Sequence, residues 1–133
     1  PLPEYPAEAA ASIGHLLEWI DQRSPKLIAA EVTMWSSLGY AGTFDLLAEI
    51  DGEVWLLDWK TGKGVYEEVG LQLAALHYAE KVLADEDTIL PKATRFGVVH
   101  VRPEGANLIE FSDMPGYFRM FMACLTLYKG PQK

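Results

Sequence analysis

The dipeptide Asp51-Gly52, set between two runs in which apolar and polar residues alternate, constrains this chain more than any other feature. A two-residue hairpin turn of type I′ needs positive φ at both central positions, and Asp-Gly meets that need well. Tyr40 to Ile50 and Glu53 to Lys60 are therefore expected to be antiparallel strands joined by that turn. The turn also sets their register. Ile50 should face Glu53 and, counting outward, Asp45 should face Asp58 and Thr43 should face Lys60. Side chains alternate along a strand, so Asp45, Asp58 and Lys60 are expected on one sheet face, with opposed Cβ atoms roughly 4.5 to 5.5 Å apart. Leu47 and Leu56 share that face. Phe44, Leu46, Ala48, Ile50, Trp55, Leu57 and Trp59 make the opposite one a core face.

Two opposed carboxylates repel, and beside Leu47 and Leu56 the repulsion is poorly screened. At least one pKa rises unless a cation sits between them. A divalent ion resolves the conflict, and hard oxygen ligands favour Mg²⁺ or Mn²⁺. Lys60 reaches the same space and faces only Thr43, so its ammonium is expected to be free for a water or a phosphate. The alternative is a surface salt-bridge cluster on a half-exposed sheet, a common and weak arrangement.

The remaining elements follow from periodicity. Pro6 to Arg23 reads as a helix with Ile13, Leu16, Leu17 and Ile20 at helical spacing, ended by Ser24-Pro25. Leu27 to Trp35 reads as a strand, Ser36 to Gly39 as a turn, and Thr61-Gly62-Lys63-Gly64 as a loop. Tyr66 to Ala84 reads as a long helix with Leu71, Ala75, Tyr78 and Val82 on one face. Thr94 to Arg102 is a fourth strand, Glu104-Gly105 a turn, Asn107 to Phe111 a short strand and Pro115 to Tyr128 a closing helix. The class is α/β with a mixed sheet, because the long helix can cross over and lay the fourth strand parallel to an earlier one.

At 133 residues, half of them hydrophobic, the chain fits one domain with a real core. Its net charge of −8 counts against a broad grip on a nucleic-acid backbone, although a metal site itself needs acidic ligands. The lone cysteine, Cys124, supports no internal disulfide, structural zinc site or iron–sulfur cluster, and reads as a small core residue in a reducing cytosol. No apolar run reaches the roughly 18 to 20 residues of a membrane span, and no leader is visible, so a soluble protein with no membrane partner is expected. The start at Pro1 rather than Met is read as a chain processed or cut from a longer protein.

Gly42-Thr43-Phe44-Asp45, a hairpin, then Leu56-Leu57-Asp58-Trp59-Lys60-Thr61-Gly62 resemble the PD-(D/E)XK nucleases. Within them the pattern is similar to the RecB-like exonuclease branch, which includes phage recombination exonucleases and CRISPR-associated exonucleases. The resemblance covers Glu31 to about Arg102, and it implies a restriction-endonuclease-like core of helix, three-strand meander, helix and strand. Carried over residue by residue, it makes Asp45 and Asp58 the acidic metal ligands, with the backbone carbonyl of Trp59 as a further ligand. Lys60 becomes the catalytic lysine and Mg²⁺ or Mn²⁺ the cofactor. Glu31 matches an acidic position on the preceding strand. It faces the site only if Ser37-Leu38-Gly39 is a three-residue loop, and is otherwise an edge-strand glutamate. Gln72 matches a substrate-contacting glutamine. The tyrosine expected four residues on is Leu76 here; Tyr78 stands six on and is the weaker substrate-contact candidate, since it also fits the core stripe. Thr61 and Lys63 are candidates for holding phosphate, with a plain solvated lysine as the alternative for Lys63.

The family's histidine ligand follows a glycine and a spacer. Here Gly14 directly precedes His15, so His15 reads better as a helix-packing residue, and the histidine-bearing segment is expected before Pro1. His77 and His100 match no family position. The implied protein is a Mg²⁺- or Mn²⁺-dependent deoxyribonuclease, an exonuclease in recombination, repair or DNA end processing. It would act in the cytoplasm of a bacterial or phage-infected cell, on DNA ends or single strands, beside a helicase or recombination partner. The alternatives are a non-catalytic, nuclease-derived DNA-binding or scaffolding module, and an acidic protein-interaction domain with a chance motif.

Overall fold

A computed structural model of the chain describes residues 7–65 and 67–130. The expected helix starts at Pro6 and Tyr66, and the terminal Pro1, lie outside the described residues. The Asp51-Gly52 turn forms as its chemistry requires, with φ of 52° and 81°. It joins β2 (Tyr40–Ile50) to β3 (Glu53–Lys60), which pair antiparallel from Ile50–Glu53 outward to Leu46–Leu57. Strand β1 (Lys26–Ser36) enters β2 through the three residues 37–39, with Ser36 opposite Tyr40.

Helix α1 (Ala7–Arg23) precedes this meander. After it come α2 (Glu68–Tyr78), the two-residue strand β4 (Lys81–Val82), β5 (Arg95–Arg102), β6 (Gly105–Phe111) and α3 (Met114–Lys129). The described residues thus form an α/β fold with one mixed six-stranded sheet, in the order β4-β1-β2-β3-β5-β6, and three helices. The crossover through α2 makes β5 parallel to β3, as the periodicity predicts; the other pairs are antiparallel. No helix among the described residues is long and apolar enough to cross a membrane.

Both sheet faces are covered, which explains why β3 reads as a nearly continuous apolar run. On one face Phe44, Leu47, Leu56, Phe96 and Val98 pack with Val69, Leu73 and Ala74 of α2 and with Met114 of α3. On the other, Ile50, Trp55, Leu57, Val99 and Val101 pack with Trp19 of α1. Helices α2 and α3 approach closely at Gly70, where any side chain would collide with the Tyr117 ring.

Three expectations are corrected. The helix expected to reach Ala84 stops at Tyr78, because Ala79 is extended (φ −67°, ψ 134°) and Lys81–Val82 add to the sheet beside Trp35 and Met34. Its buried face is Val69, Gly70, Leu73, Ala74 and Ala75, rather than a stripe through Leu71 and Tyr78. Cys124 is exposed, not a core residue. Helix α3 is apolar around much of its circumference but packs by one side, which leaves Met120, Cys124, Leu127 and Tyr128 facing outward.

Candidate active site

The site forms where the β2–β3 ladder ends. Beyond Leu46–Leu57 the derived pairs Asp45–Asp58 and Thr43–Lys60 are not ladder pairs. The alternation of β2 breaks at Asp45: Phe44 packs with Leu47 and Leu56 toward α2, whereas Leu46 packs toward α1. Phe44 is therefore on the face opposite to the one expected. The cause is local. Asp45 Oδ2 accepts the Trp59 N–H at 2.9 Å, so a side-chain oxygen takes the place of a ladder partner. Opposite Asp45 in the β1 register lies Glu31, itself in the left-handed region with φ 49°. Thr43 is drawn the other way, its Oγ1 2.7 Å from that of Thr33.

The three charged groups nonetheless meet. The Asp45 carboxyl lies close enough to that of Asp58 to disfavour its ionisation, and Lys60 Nζ stands 3.1 Å from Asp58 Oδ2. The Lys60 ammonium is thus ion-paired rather than free, because alternation puts residues two apart on one strand on the same face. Burial pushes the Asp58 carboxyl up to about 6, the neighbouring Asp45 carboxyl pushes the same way, and Lys60 opposes both.

Asp58 and Lys60 open into a cavity of about 360 Å³, also lined by Tyr40, Gly42, Gln72 and Phe121. Its aromatic rim is fixed by the Tyr40 hydroxyl donating to Ala75 O at 2.8 Å and by an edge-on contact between the Tyr40 and Phe121 rings, with centroids 4.8 Å apart. Gln72, exposed on α2, is brought to the cavity that holds Asp58 and Lys60. Tyr78 is not; it packs against the Phe118 ring at 4.5 Å.

The other sequence candidates divide. The 37–39 loop does have three residues, and Glu31 takes the register position opposite Asp45. No set of three acidic, histidine or cysteine side chains converges among the described residues, so Glu31 does not join the pair. Trp59 meets Asp45 through its backbone N–H while its ring lies edge-on to Trp19 on the α1 side, centroids 6.0 Å apart. Thr61 and Lys63 are exposed in the loop after β3. His15 belongs to α1, on the far side of the sheet, with Nδ1 3.6 Å from Glu18 Oε2. His77 lies between the Tyr78 and Phe96 rings, and burial, then Lys92, lowers its pKa.

Two residues near the site had no signal in the sequence. His100 Nε2 lies 2.5 Å from Gly62 O, and Arg102 Nη1 donates to Thr61 O at 2.9 Å. Only the parallel register, which sets Lys60 beside His100, reveals them.

The donor set suits a hard divalent cation. Two carboxyls share a partly desolvated place, and burial first, then the neighbouring Asp45, raises the Asp58 pKa. The set comprises two carboxyls, with the Trp59 carbonyl as the further oxygen that the resemblance implies.

No protein-family model and no curated relative matches the chain. Among solved structures, the chain is similar to the crystal structure of SSO0001, at 14% identity and a TM-score of 0.50. The match covers 90% of this chain, which spans 58% of that one. At this identity the likeness speaks to the fold alone.

Proposed function

We propose that this chain is the core of a Mg²⁺- or Mn²⁺-dependent DNA nuclease of the PD-(D/E)XK type, in its RecB-like exonuclease branch. The observation that carries the reading is the Asp45–Asp58 carboxyl pair with Lys60 3.1 Å from Asp58, at the wall of a cavity that also holds Gln72. Asp45, Asp58 and the Trp59 carbonyl would hold the metal. When bound, a divalent ion supplies an activated water and charge neutralisation at the scissile phosphate. Lys60 orients the attacking water or stabilises the charge that develops on phosphate oxygens, while Gln72 contacts the substrate from α2. The substrate is DNA, taken at ends or as single strands, in recombination, repair or end processing beside a helicase or recombination partner. The setting is the cytoplasm of a bacterial or phage-infected cell.

A second reading, a nuclease-derived module that binds DNA or scaffolds without cutting it, draws on the convergence of only two carboxyls among the described residues and on the net charge of −8. Digestion of end-labelled linear duplex and single-stranded DNA by the full-length protein separates the two. Cleavage that requires Mg²⁺ or Mn²⁺ and is abolished by Asp58→Ala supports the nuclease. DNA binding without cleavage in either metal supports the module.

A further inference from the structure

The loop after β3 is held by side chains rather than by backbone. The parallel β3–β5 ladder runs to Lys60–His100. Beyond it the next two carbonyls of the chain leaving β3, those of Thr61 and Gly62, are taken by Arg102 Nη1 at 2.9 Å and His100 Nε2 at 2.5 Å. On β5, Val99 and Val101 pack toward α1 and Val98 toward α2, so alternation places His100 and Arg102 on the face that carries Asp58 and Lys60. The Gly62 carbonyl can only accept, so Nε2 carries the proton and the tautomer of His100 is set. Arg102 is steadied in turn by Glu104, 3.7 Å from its Nε.

These bonds bear on the geometry of the site. Thr61-Gly62-Lys63-Gly64 contains two glycines, and a free loop of that composition samples many conformations. The two pinned carbonyls remove that freedom next to Lys60. They also bring Arg102 to the loop that follows Lys60, in a chain whose net charge is −8. Two cations, Lys60 and Arg102, beside an acidic pair match a phosphodiester whose scissile group lies at the carboxyls and whose neighbouring phosphate lies at the loop.

We infer that His100 and Arg102 are positioning residues that clamp the Thr61–Gly62 turn, so that the loop presents a preformed seat for a backbone phosphate adjacent to the carboxyl pair. The inference rests on the nuclease reading for its account of cleavage, but the clamp and the phosphate seat can be measured without it.

The test uses the full-length protein and three measurements on His100→Ala, Arg102→Ala and the donor-keeping His100→Gln. Hydrogen exchange should show faster exchange of the amides of residues 61–64 in the two alanine variants, with β3 and β5 protected as before. Anisotropy of a fluorescent single-stranded oligonucleotide in Ca²⁺ should show affinity reduced about five- to tenfold, the scale of one lost hydrogen bond, and restored in His100→Gln. In Mn²⁺, steady-state cleavage should show KM raised by a similar factor with kcat nearly unchanged, since seating a neighbouring phosphate is binding shared by ground and transition states. A merely structural role predicts the opposite split, with fewer active molecules, lower kcat and unchanged KM. Wild-type loop exchange, or unchanged oligonucleotide affinity, in both alanine variants overturns the inference. A wild-type protein that binds the oligonucleotide through this clamp yet cuts no DNA overturns the nuclease reading and leaves the clamp standing.

Discussion

At the turn end of the β2–β3 hairpin, backbone pairs run without interruption from Ile50–Glu53 to Leu46–Leu57; at the open end the ladder stops and side chains take over its hydrogen bonds. The turn end holds Leu57, Ala48 and Ile50, almost wholly buried. The open end holds a carboxyl pair, an ammonium 3.1 Å from it and a cavity. Regular pairing suits residues that gain by losing water. Charged groups that must meet a ligand lose stability in the same environment, and the interruption at Asp45 is where the molecule tolerates that cost. The contrast has measurable consequences, in descending size.

Leu57→Ala, at 0% exposure in the regular half, should cost about 2–5 kcal/mol in urea unfolding, the range for emptying a packed aliphatic site. A loss below about 1 kcal/mol would mean the turn end is not the rigid part. At the open end, Lys60→Ala should slow single-turnover DNA cleavage in saturating Mn²⁺ by on the order of 10²-fold or more, while the Mn²⁺-induced rise in melting temperature persists. Cleavage at the wild-type rate in that variant ends the assignment of Lys60. Asp45→Asn and Asp58→Asn, by contrast, should each abolish the Mn²⁺ shift itself.

Asp58 should also mark the open end by its pH dependence. The fold raises its pKa from 3.8 to about 6, so the folded state favours the protonated form. The stabilising contribution is therefore full below the unfolded value and is lost as pH rises through about 6. It is on the order of 2 kcal/mol. Asp58→Asn should flatten that part of the stability profile and leave the variant more stable than wild type at pH 8. Parallel profiles between pH 4 and 8 would show that Asp58 is not under strain. The smallest effect belongs to Glu31. With φ at 49°, Glu31→Gly should relieve backbone strain and gain about 0.5 kcal/mol in thermal unfolding. A fall in cleavage in that variant would instead place Glu31 in the metal set.

The same division separates what could be read in advance from what could not. The Asp51-Gly52 turn, the register as far as Leu46–Leu57 and the parallel crossover are consequences of local chemistry and period, and the structure has them. The break at Asp45 was illegible because a side-chain acceptor replaces a ladder partner there, and strict alternation does not anticipate such a substitution. The early end of α2 follows from tertiary competition: Val82 continues the helical stripe but is buried beside Met34 as a strand residue. Cys124 misled because a helix apolar on several sides does not say which side is covered. For the site, spacing along β3 placed Asp58 and Lys60 on one face. It could not show that the two would pair, nor that a histidine 38 residues beyond Gly62 would reach that loop.

Strand β3 has two neighbours acquired over very different lengths of chain. Its pairing with β2 closes a two-residue loop, whereas its pairing with β5 must first close the long excursion through α2. Closure entropy grows with loop length, and local contacts form sooner. The segments bearing Asp45 and Asp58 therefore come together with the fast hairpin, while the contacts of His100 and Arg102 with the following loop form only when the distant strand docks. Loop-closure entropy alone predicts that the carboxyl segments join the early, local part of the fold and that the loop beside them consolidates later. The same entropic order in reverse predicts that, on unfolding, the loop loses its His100 and Arg102 contacts before the hairpin that carries the carboxyls opens.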